Sequence, residues 1–399
     1  MLTGHSMIYF SPETWNGLWR NRQQLMSRFS QHNKVLFVEN RLYAKAIMQR
    51  WRHGQLGLKD LFYPSLRRVS DNLYVFRYPC WVPISGRFDR LPRKIRQGAL
   101  QKALCTLRMS EPIVWFSRPN MVDLIKEIPR PSLQIYHVVD EYSAYSAVTP
   151  SRRQRLSQIE EKMMTMADMV IVVSENLYKA KSASHPQTHL VANGVDYQAY
   201  TEALAHAEIP DVLARIPPPR LGYIGLIGDK LDLAMLRMLA EKNPCWSLIF
   251  LGEARAPQQA DSWAALQTLP NVHYLGTVSA HQVPNYVKGF EVGLMPYKQN
   301  RHAEHISPLK LYDYLAAGIP IAATNIPATR DFGQYVQLAD SVDDFQRAVQ
   351  AALNDNSPER SQSRRAVAAH HTWEAKVEEL SDLIEARLVA KYNPCNDEF

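Results

Sequence analysis

The chain has 399 residues, of which 46% are hydrophobic and 21% charged, a balance typical of a folded protein and too apolar for a disordered one. This length exceeds the size at which a single core stops growing, so two domains are expected. The 46 lysines and arginines outnumber the 39 aspartates and glutamates, and the net charge of +7 suits an anionic partner but is too small to indicate nucleic acid.

Short apolar runs alternate with helical patterns along the whole chain. In chain order, the predicted strands are 7–10, 34–39, 73–77, 113–116, 134–138, 169–173, 189–191, 220–224, 247–251, 272–274, 292–295 and 319–323. The amphipathic stretches between and after them include 19–31, 152–167, 231–242, 341–353 and 372–390. Continuous apolar runs indicate strands covered on both faces, and their alternation with helices indicates parallel sheets. The sequence therefore predicts an α/β fold with two doubly wound, Rossmann-like domains.

A proline-rich stretch at 201–219 marks the predicted boundary between these domains, because its run Pro217, Pro218 and Pro219 continues neither helix nor strand. A new strand–turn–helix pattern begins directly afterwards at Arg220. We assign an N-terminal domain to 1–205, a linker to 206–218, a C-terminal domain to 219–370, and a final helix and tail to 371–399.

Neither a secretion signal nor a membrane-spanning helix is predicted. The first apolar stretch, 7–10, is too short for the core of a signal peptide, and no window approaches the roughly 20 apolar residues of a spanning helix. The four cysteines have no paired spacing, which argues against a disulfide scaffold and a zinc site and fits a reducing compartment. We expect a cytoplasmic protein, either soluble or peripheral on the membrane.

The most specific local pattern is a helix with clear start and stop signals within 305–320. Ser307 is a good N-cap, Pro308 suits the first helical position, and Gly318 with Pro320 ends the helix. Such a start directs unpaired backbone N–H groups outward at the positive end of the helix dipole. These properties suit the binding of a phosphate group.

Two charged side chains in this helix extend the interpretation. Lys310 in the first turn would complete a pyrophosphate site, and Asp313, three residues later on the same face, could accept hydrogen bonds from ribose hydroxyls. The alternative is a capped structural helix with a Lys310–Asp313 surface pair. Local pattern alone favours that alternative, because most helices carry caps.

A glycine-containing turn at 222–229 joins a predicted strand to a helix. Glycines there would let the backbone approach a ligand closely. The spacing of Gly225 and Gly228 is looser than a dinucleotide or P-loop fingerprint, so a tight structural turn explains it equally well.

Acidic residues follow the buried strand 134–138, at the edge where open α/β sheets bind ligands. A carboxylate at Asp140 near a sugar hydroxyl could act as a general base, whereas Asp140 or Glu141 could equally cap the next segment. His137 lies within the apolar run and is interpreted as a core histidine rather than a ligand.

A basic cluster in the first half of the chain suggests contact with anionic lipid head groups, although a solvated helix face is the default interpretation. It comprises Arg87, Arg90, Arg93, Lys94 and Arg96, next to Trp81 and Phe88. The charges are not interleaved with a recognised nucleic-acid-binding module, so no nucleic-acid partner is expected.

Several motifs are missing from the sequence. It contains no Asp-x-Asp pair, Walker A loop, His-Glu-x-x-His or Gly-x-Ser-x-Gly. These absences argue against a metal-bound diphosphate site, a P-loop NTPase, a zinc protease and a lipase-type hydrolase.

Taken in order, segments along nearly the whole chain resemble the GT-B superfamily of nucleotide-sugar-dependent glycosyltransferases. The segments are 15–24, 34–39, 136–143, 167–174, 193–196, 222–225, 294–297 and 307–315. Within the superfamily the chain is similar to family-4-like bacterial enzymes of cell-surface and exopolysaccharide synthesis, and in layout to the xanthan glucuronosyltransferase. The resemblance implies a nucleotide-sugar donor on the C-terminal domain, an acceptor such as a lipid-linked saccharide on the N-terminal domain, and a final helix that crosses back.

The resemblance also implies a donor site that needs no metal or other cofactor. Ser307, Leu309 and Lys310 match positions that hold the diphosphate, so Lys310 would neutralise the departing UDP. Asp313 matches a ribose-binding position, and Tyr297 would lie near the base.

The remaining site residues follow from the same resemblance. Gly225, Leu226 and Ile227 would let the donor approach the first strand of the C-terminal domain, and Asp140 matches the general base of inverting members.

One position departs from the pattern of the superfamily. Where retaining members have a first glutamate, this chain has His305, with Glu304 beside it. The resemblance therefore favours inversion with Asp140 as the base, and Glu141 as the alternative base. Other possibilities are a nucleotide-sugar epimerase or phosphorylase of the same fold, or a non-catalytic scaffold at the membrane.

Overall fold

A computed structural model describes residues 1–39, 48, 64–79, 82, 90–128, 130–144 and 149–392. The chain forms two compact units, one made of Met1–Ala192 with Lys376–Phe399 and the other of Asn193–Ala375. The predictions for Trp81, Arg87, Phe88 and the tail 393–399 lie outside the described residues.

The first unit is built on an eight-stranded sheet among the residues described. Its strands are β1 Ser6–Phe10, β2 Lys34–Glu39, β3 Ser65–Arg68, β4 Leu73–Arg77, β5 Ile113–Phe116, β6 Leu133–Val138, β7 Met169–Val172 and β8 Thr188–Leu190. Their order is β3-β4-β2-β1-β5-β6-β7-β8, and only β3 is antiparallel to its neighbour. The order reverses between β1 and β5, which is where ligands bind in open α/β sheets.

Helices of the first unit pack on this sheet. They are α1 Asn21–Phe29, α2 Arg90–Leu107, α3 Pro150–Met166 and α4 Glu175–Ser182. Arg96 of α2 is fully buried, and its Nη2 lies 2.5 Å from Glu127 Oε1. The prediction that Arg96 belongs to a lipid-facing cluster is therefore wrong, because its charge is neutralised inside the unit. Arg90 and Lys94 of the same helix are exposed.

The second unit contains a six-stranded parallel sheet and a small two-stranded one. Its strands are β9 Arg220–Ile224, β10 Ile227–Gly228, β11 Ser247–Leu251, β12 Ala254–Arg255, β13 Val272–Gly276, β14 Val292–Met295, β15 Ile321–Thr324 and β16 Val336–Ala339. The larger sheet has the order β13-β11-β9-β14-β15-β16, and β10 pairs with β12. The order reverses between β9 and β14, so the predicted doubly wound α/β arrangement is confirmed in both units.

The helices of the second unit are mostly short. They are α5 Tyr197–His206, α6 Asp211–Ala214, α7 Leu233–Lys242, α8 Ala260–Gln267, α9 Val283–Val287, α10 Leu309–Ala317, α11 Pro327–Arg330, α12 Val342–Asn354 and α13 Pro358–Ala369. The last helix, α14 Trp373–Tyr392, begins in this unit and belongs to the first unit from Lys376 onward.

Every predicted strand is present within a residue or two at each end. Two edge strands of the large sheets have no counterpart in the prediction. β3 has one apolar residue and is mostly exposed, and β16 is only four residues long, with the polar Gln337 interrupting its apolar residues. Edge strands are covered less than central ones, so their sequences lack the continuous apolar run that identifies a buried strand.

The division between the units lies earlier than the predicted linker at 206–218. Helix α5 belongs to the second unit, since its Tyr200 is buried in the same core as Leu213 and Leu221. The prolines at 217–219 therefore lie within the second unit, directly before β9.

The chain segments that follow β9 and β11 cross closely at Gly225 and Gly252. Gly252 has φ +142°, and a Cβ added there would lie 2.1 Å from the Gly225 carbonyl oxygen. We expect Gly252→Ala to lower the free energy of unfolding by about 3 kcal/mol or more, because it combines a strained backbone with a clash. Urea unfolding of the purified full chain measures this change.

The matched control is Gly98→Ala in the exposed middle of α2, where an added Cβ would meet nothing within 4 Å. This substitution should stabilise the protein by about 0.5–1 kcal/mol, because alanine is the better helix former. Equal effects of the two substitutions would contradict the crossing geometry.

Candidate functional site

A buried lysine lies at the point where the strand order of the second unit reverses. Lys310 is 8% exposed, and its ammonium donates a hydrogen bond of 2.7 Å to the Tyr297 hydroxyl. The ammonium also lies 4.6 Å from the ring centroid of Tyr223 and 5.1 Å from that of Tyr297, within the range of a cation–π interaction. Tyr223 belongs to β9 and Tyr297 follows β14, so the charge lies between the ends of the two central strands.

The position of Lys310 depends on Tyr314, one helical turn later on the same face of α10. The buried Tyr314 hydroxyl donates to the Gly222 carbonyl at 3.0 Å and accepts from the Ile224 N–H at 3.1 Å. This contact attaches α10 to the main chain of β9. Gly318, at φ +74°, ends the helix in the left-handed conformation, as the sequence predicts.

The start of α10 differs from the prediction. Pro308 has φ −71° and ψ 119°, so it is the N-cap, and the helix begins at Leu309. The prediction that Ser307 caps the helix is wrong by one residue. The Ser307 carbonyl accepts a hydrogen bond of 2.9 Å from the Asn193 side chain, which holds this peptide outside the helix.

Open space faces Lys310 on the side of Gly225. Gly225 has φ +102°, and among the described residues other than its two chain neighbours, only Cε and Nζ of Lys310 would lie within 4 Å of an added Cβ, at 3.8 Å. Leu226 is half-buried, whereas Ile227 is fully buried and its N–H is bonded to the Glu253 carbonyl. The structure thus brings Gly225 and Leu226 to the edge where Lys310 lies and places the Ile227 side chain in the core.

Asp313 lies beside Tyr200, Asp196 and Lys310. Burial raises its pKa to about 7, although the Tyr200 hydroxyl and the Lys310 ammonium act in the opposite direction. Asp196, the N-cap of α5, adds to the upward shift. Asp313 is therefore poised to change its charge near neutral pH, which the sequence pattern did not indicate.

A turn before α10 contains Glu304 and His305, where the sequence departs from the pattern of the superfamily. The His305 Nδ1 is 2.9 Å from the Arg301 carbonyl, and Glu304 is exposed.

In the first unit, the two adjacent acidic residues after β6 have different surroundings. Glu141 is buried and accepts hydrogen bonds from Lys181 at 2.9 Å and from the Ser143 hydroxyl at 2.7 Å. Burial alone would raise the pKa of Glu141, but Lys181 and Ser143 lower it overall. Asp140 is half-buried and precedes Tyr142. Glu141 is thus committed to an internal ion pair with Lys181.

His137 is a core histidine, as predicted. Burial lowers its pKa to about 3, and its ring lies 5.7 Å from that of Trp115.

Three residues at the Lys310 site were not identified from the sequence. The Lys230 ammonium lies 5.4 Å from the Tyr297 ring centroid, the Tyr223 ring contacts Lys310, and the Thr324 hydroxyl accepts from the Tyr297 N–H at 3.1 Å. Lys230 was detectable as a basic residue at the end of the glycine-containing turn. Tyr223 and Thr324 have no such signal, because each lies within an ordinary apolar strand.

The described residues contain neither a membrane-spanning helix nor a cluster of metal-binding side chains. No helix in the described part of the chain is both long and apolar enough to cross a lipid bilayer. Among the same residues, no group of three or more histidines, cysteines, aspartates or glutamates is arranged to hold a metal ion.

Comparison with solved structures identifies the fold. The sucrose-phosphate synthase of Thermosynechococcus elongatus superposes with a TM-score of 0.69 at 14% identity, over 97% of this chain and 100% of that one. Anabaena HepE, solved in complex with UDP and glucose, superposes with a TM-score of 0.67 at 11% identity, over 96% of this chain and 100% of that one. The protein has the GT-B fold.

Sequence comparison then gives the family. Residues 219–355 match the family described as Glycosyl transferases group 1. A Bacillus subtilis (strain 168) protein named as a teichuronic acid biosynthesis glycosyltransferase, TuaH, is 30% identical over an alignment of 277 residues, and the match covers 65% of this chain and 68% of that protein. This chain therefore belongs to the group 1 glycosyltransferases.

The raised pKa of Asp313 predicts a pH-dependent stability. The folded protein holds this proton up to about pH 7, whereas an unfolded aspartate, with a pKa of 3.8, has already lost it. The free energy of unfolding should therefore fall as the pH rises from about 4 to 7, by about 2–4 kcal/mol from this group. Asp313→Asn should remove this component, and urea unfolding at pH 5 and pH 8 measures it.

Asp382→Asn, at an exposed position of α14, is the control and should leave the difference between the two pH values unchanged. If Asp313→Asn showed the same difference as the unmodified protein, Asp313 would not be the titrating group.

Proposed function

We propose that this protein transfers a sugar from a nucleotide-diphosphate sugar, with UDP as the nucleotide, to a lipid-linked saccharide in cell-surface polysaccharide synthesis. The observation that carries the proposal is the buried Lys310 ammonium facing the open side of Gly225 where the strand order reverses. The name of the Bacillus subtilis relative supports the pathway, and the UDP and glucose bound to Anabaena HepE support the donor.

The diphosphate of the donor would lie between Gly225 and the start of α10. The main chain at Ser307 and Leu309 lies at the positive end of the helix dipole, which favours an anion. When the acceptor oxygen forms its bond to the anomeric carbon, the bond from that carbon to the phosphate oxygen breaks and negative charge develops on UDP. The Lys310 ammonium would stabilise that charge in place of a metal ion.

The neighbouring residues would orient the donor. Tyr297 accepts the Lys310 hydrogen bond, so it would position the ammonium as well as lie near the nucleotide base, and Lys230 would supply a second positive charge. We assign Asp313 to the ribose. Leu226 and the Ile227 main chain would line the approach of the donor.

Asp140 of the first unit would act as the general base. It would take the proton from the acceptor hydroxyl as that hydroxyl attacks the anomeric carbon, which inverts the configuration there. The ion pair between Glu141 and Lys181 supports Asp140 rather than Glu141 in this role.

A lipid-linked acceptor would place the protein on the inner face of the plasma membrane. We propose that Arg90, Arg93 and Lys94 of α2 provide the contact with anionic lipid, together with Leu91, which is 69% exposed.

The donor site is tested by Lys310→Gln. Turnover should fall by about 10²–10³-fold, because a preorganised donor to the leaving group is lost. Affinity for UDP in calorimetry should fall by about tenfold or more, since a charge-assisted hydrogen bond is removed.

Lys242→Gln, at a half-exposed lysine of the same unit, is the control and should change neither quantity. Addition of EDTA should leave the activity of the unmodified protein intact. Normal turnover in Lys310→Gln would overturn the assignment of the donor site, and product formed without any acceptor would indicate an epimerase.

The assignment of the base is tested by comparing two adjacent substitutions. Asp140→Asn should lower turnover by about 10²–10⁴-fold while UDP affinity remains unchanged, because the base acts in proton transfer rather than in donor binding. Glu141→Gln should instead lower the free energy of unfolding by about 1–3 kcal/mol, because it weakens a buried ion pair. Turnover assays and urea unfolding on both variants distinguish these outcomes, and the reverse pattern would assign the base to Glu141.

A further inference from the structure

A second group of charged side chains lies in the first unit, where its strand order reverses. Arg22 is in the first turn of α1, which follows β1, Arg118 comes shortly after β5, and Asp140 comes shortly after β6. Since β1, β5 and β6 are adjacent in the sheet and parallel, these residues lie at one edge. This is the edge at which open α/β sheets bind ligands.

Arg22 is buried without a full set of hydrogen-bond acceptors. Its side chain is 4% exposed, and its Nη1 lies 3.3 Å from Glu13 Oε2. Its Nε and Nη1 atoms nevertheless donate no hydrogen bond within the part of the chain that the structure describes. Leaving buried donors unsatisfied costs free energy, so such a group in a native protein needs an explanation.

The position of Arg22 in α1 is also electrostatically unfavourable. The first turn of α1 contains no acidic residue and holds this arginine instead. Because a helix N-terminus carries a partial positive charge, a cation there destabilises the folded state, whereas a bound anion would stabilise it.

Arg118 lies at the same edge of the sheet as Arg22. Its Cζ lies 5.3 Å from the ring centroid of Tyr142, and its buried Nε also donates no hydrogen bond among the described residues. Burial raises the pKa values of Tyr9 and Tyr142, and both Arg22 and Arg118 oppose the rise at each of them. Both guanidinium groups are therefore near enough to these two tyrosines to act on them electrostatically, and the strand order places both arginines at one edge of the sheet.

We infer that Arg22 and Arg118 form an oxyanion site for the acceptor, so the acceptor carries a phosphate or a carboxylate close to the hydroxyl that is glycosylated. The inference rests on the proposed function, because it uses Asp140 as the base beside this site. Two guanidinium groups with unused donors match the planar, bidentate geometry of an oxyanion. A diphosphate-linked sugar and a uronic acid would both supply that chemistry.

The test measures acceptor-analogue binding by calorimetry on the full chain saturated with UDP, so that the donor site is occupied. The probes are glucose 1-phosphate, glucuronate and the uncharged methyl glucoside. Arg22→Gln and Arg118→Gln are compared with Arg68→Gln, at an exposed arginine of the same unit that pairs with Asp71 on the surface.

We expect at least one anionic probe to bind more tightly than methyl glucoside. Its affinity should fall about tenfold or more in Arg22→Gln and Arg118→Gln and stay unchanged in Arg68→Gln. Preference for glucose 1-phosphate would indicate a phosphate-linked acceptor, and preference for glucuronate a uronic acid.

Unchanged affinity of the anionic probes in both arginine variants, or binding no tighter than that of methyl glucoside, would overturn the inference. If Arg22→Gln does not fold, the probe affinity of Arg118→Gln decides the outcome. Arg118 is only half-buried, so its substitution should leave the protein folded. Failure of UDP to bind the unmodified protein would instead contradict the proposed function, so the two failures are distinguishable.

Discussion

The Tyr314 hydroxyl is the contact on which the rest of the second unit's site depends. It joins helix α10 to β9 by bonding the main chain at Gly222 and Ile224. Lys310 lies one turn earlier on the same face, so its ammonium is carried to the end of β9, over Tyr223 and beside Gly225. Because a buried hydroxyl with three main-chain partners is costly to displace, the position of the charge is set by the core itself.

Stability is lowered where the proposed chemistry takes place. Asp313 has a pKa raised to about 7 by burial, and two buried donor atoms of Arg22 lack hydrogen-bond acceptors among the described residues. The burial of Asp313 and the unsatisfied donors of Arg22 weaken the folded state without a ligand, and a bound anion would relieve the cost at Arg22. Functional sites typically contain such destabilising features, because binding and catalysis need charged groups where stability alone would not place them.

Much of the fold and part of the site could be predicted from sequence. Continuous apolar runs located the central strands, and Gly318 located the end of α10. The edge strands β3 and β16 were not predicted, because an edge strand is less covered than a central one and needs no continuous apolar run. The start of α10 was misplaced by one residue because the Ser307 carbonyl bonds to Asn193, which is far away in the chain.

The sequence by itself determined the alternation of strands and helices, the α/β class, and the presence of a lysine and an acidic residue on one helix, because these depend on neighbours along the chain. Only the tertiary structure decided that Lys310 is buried rather than part of a surface pair, that Arg96 is neutralised by Glu127, and that Glu141 is held by Lys181. Burial and charge pairing depend on residues brought together from distant parts of the chain, and no local pattern encodes which partners will meet.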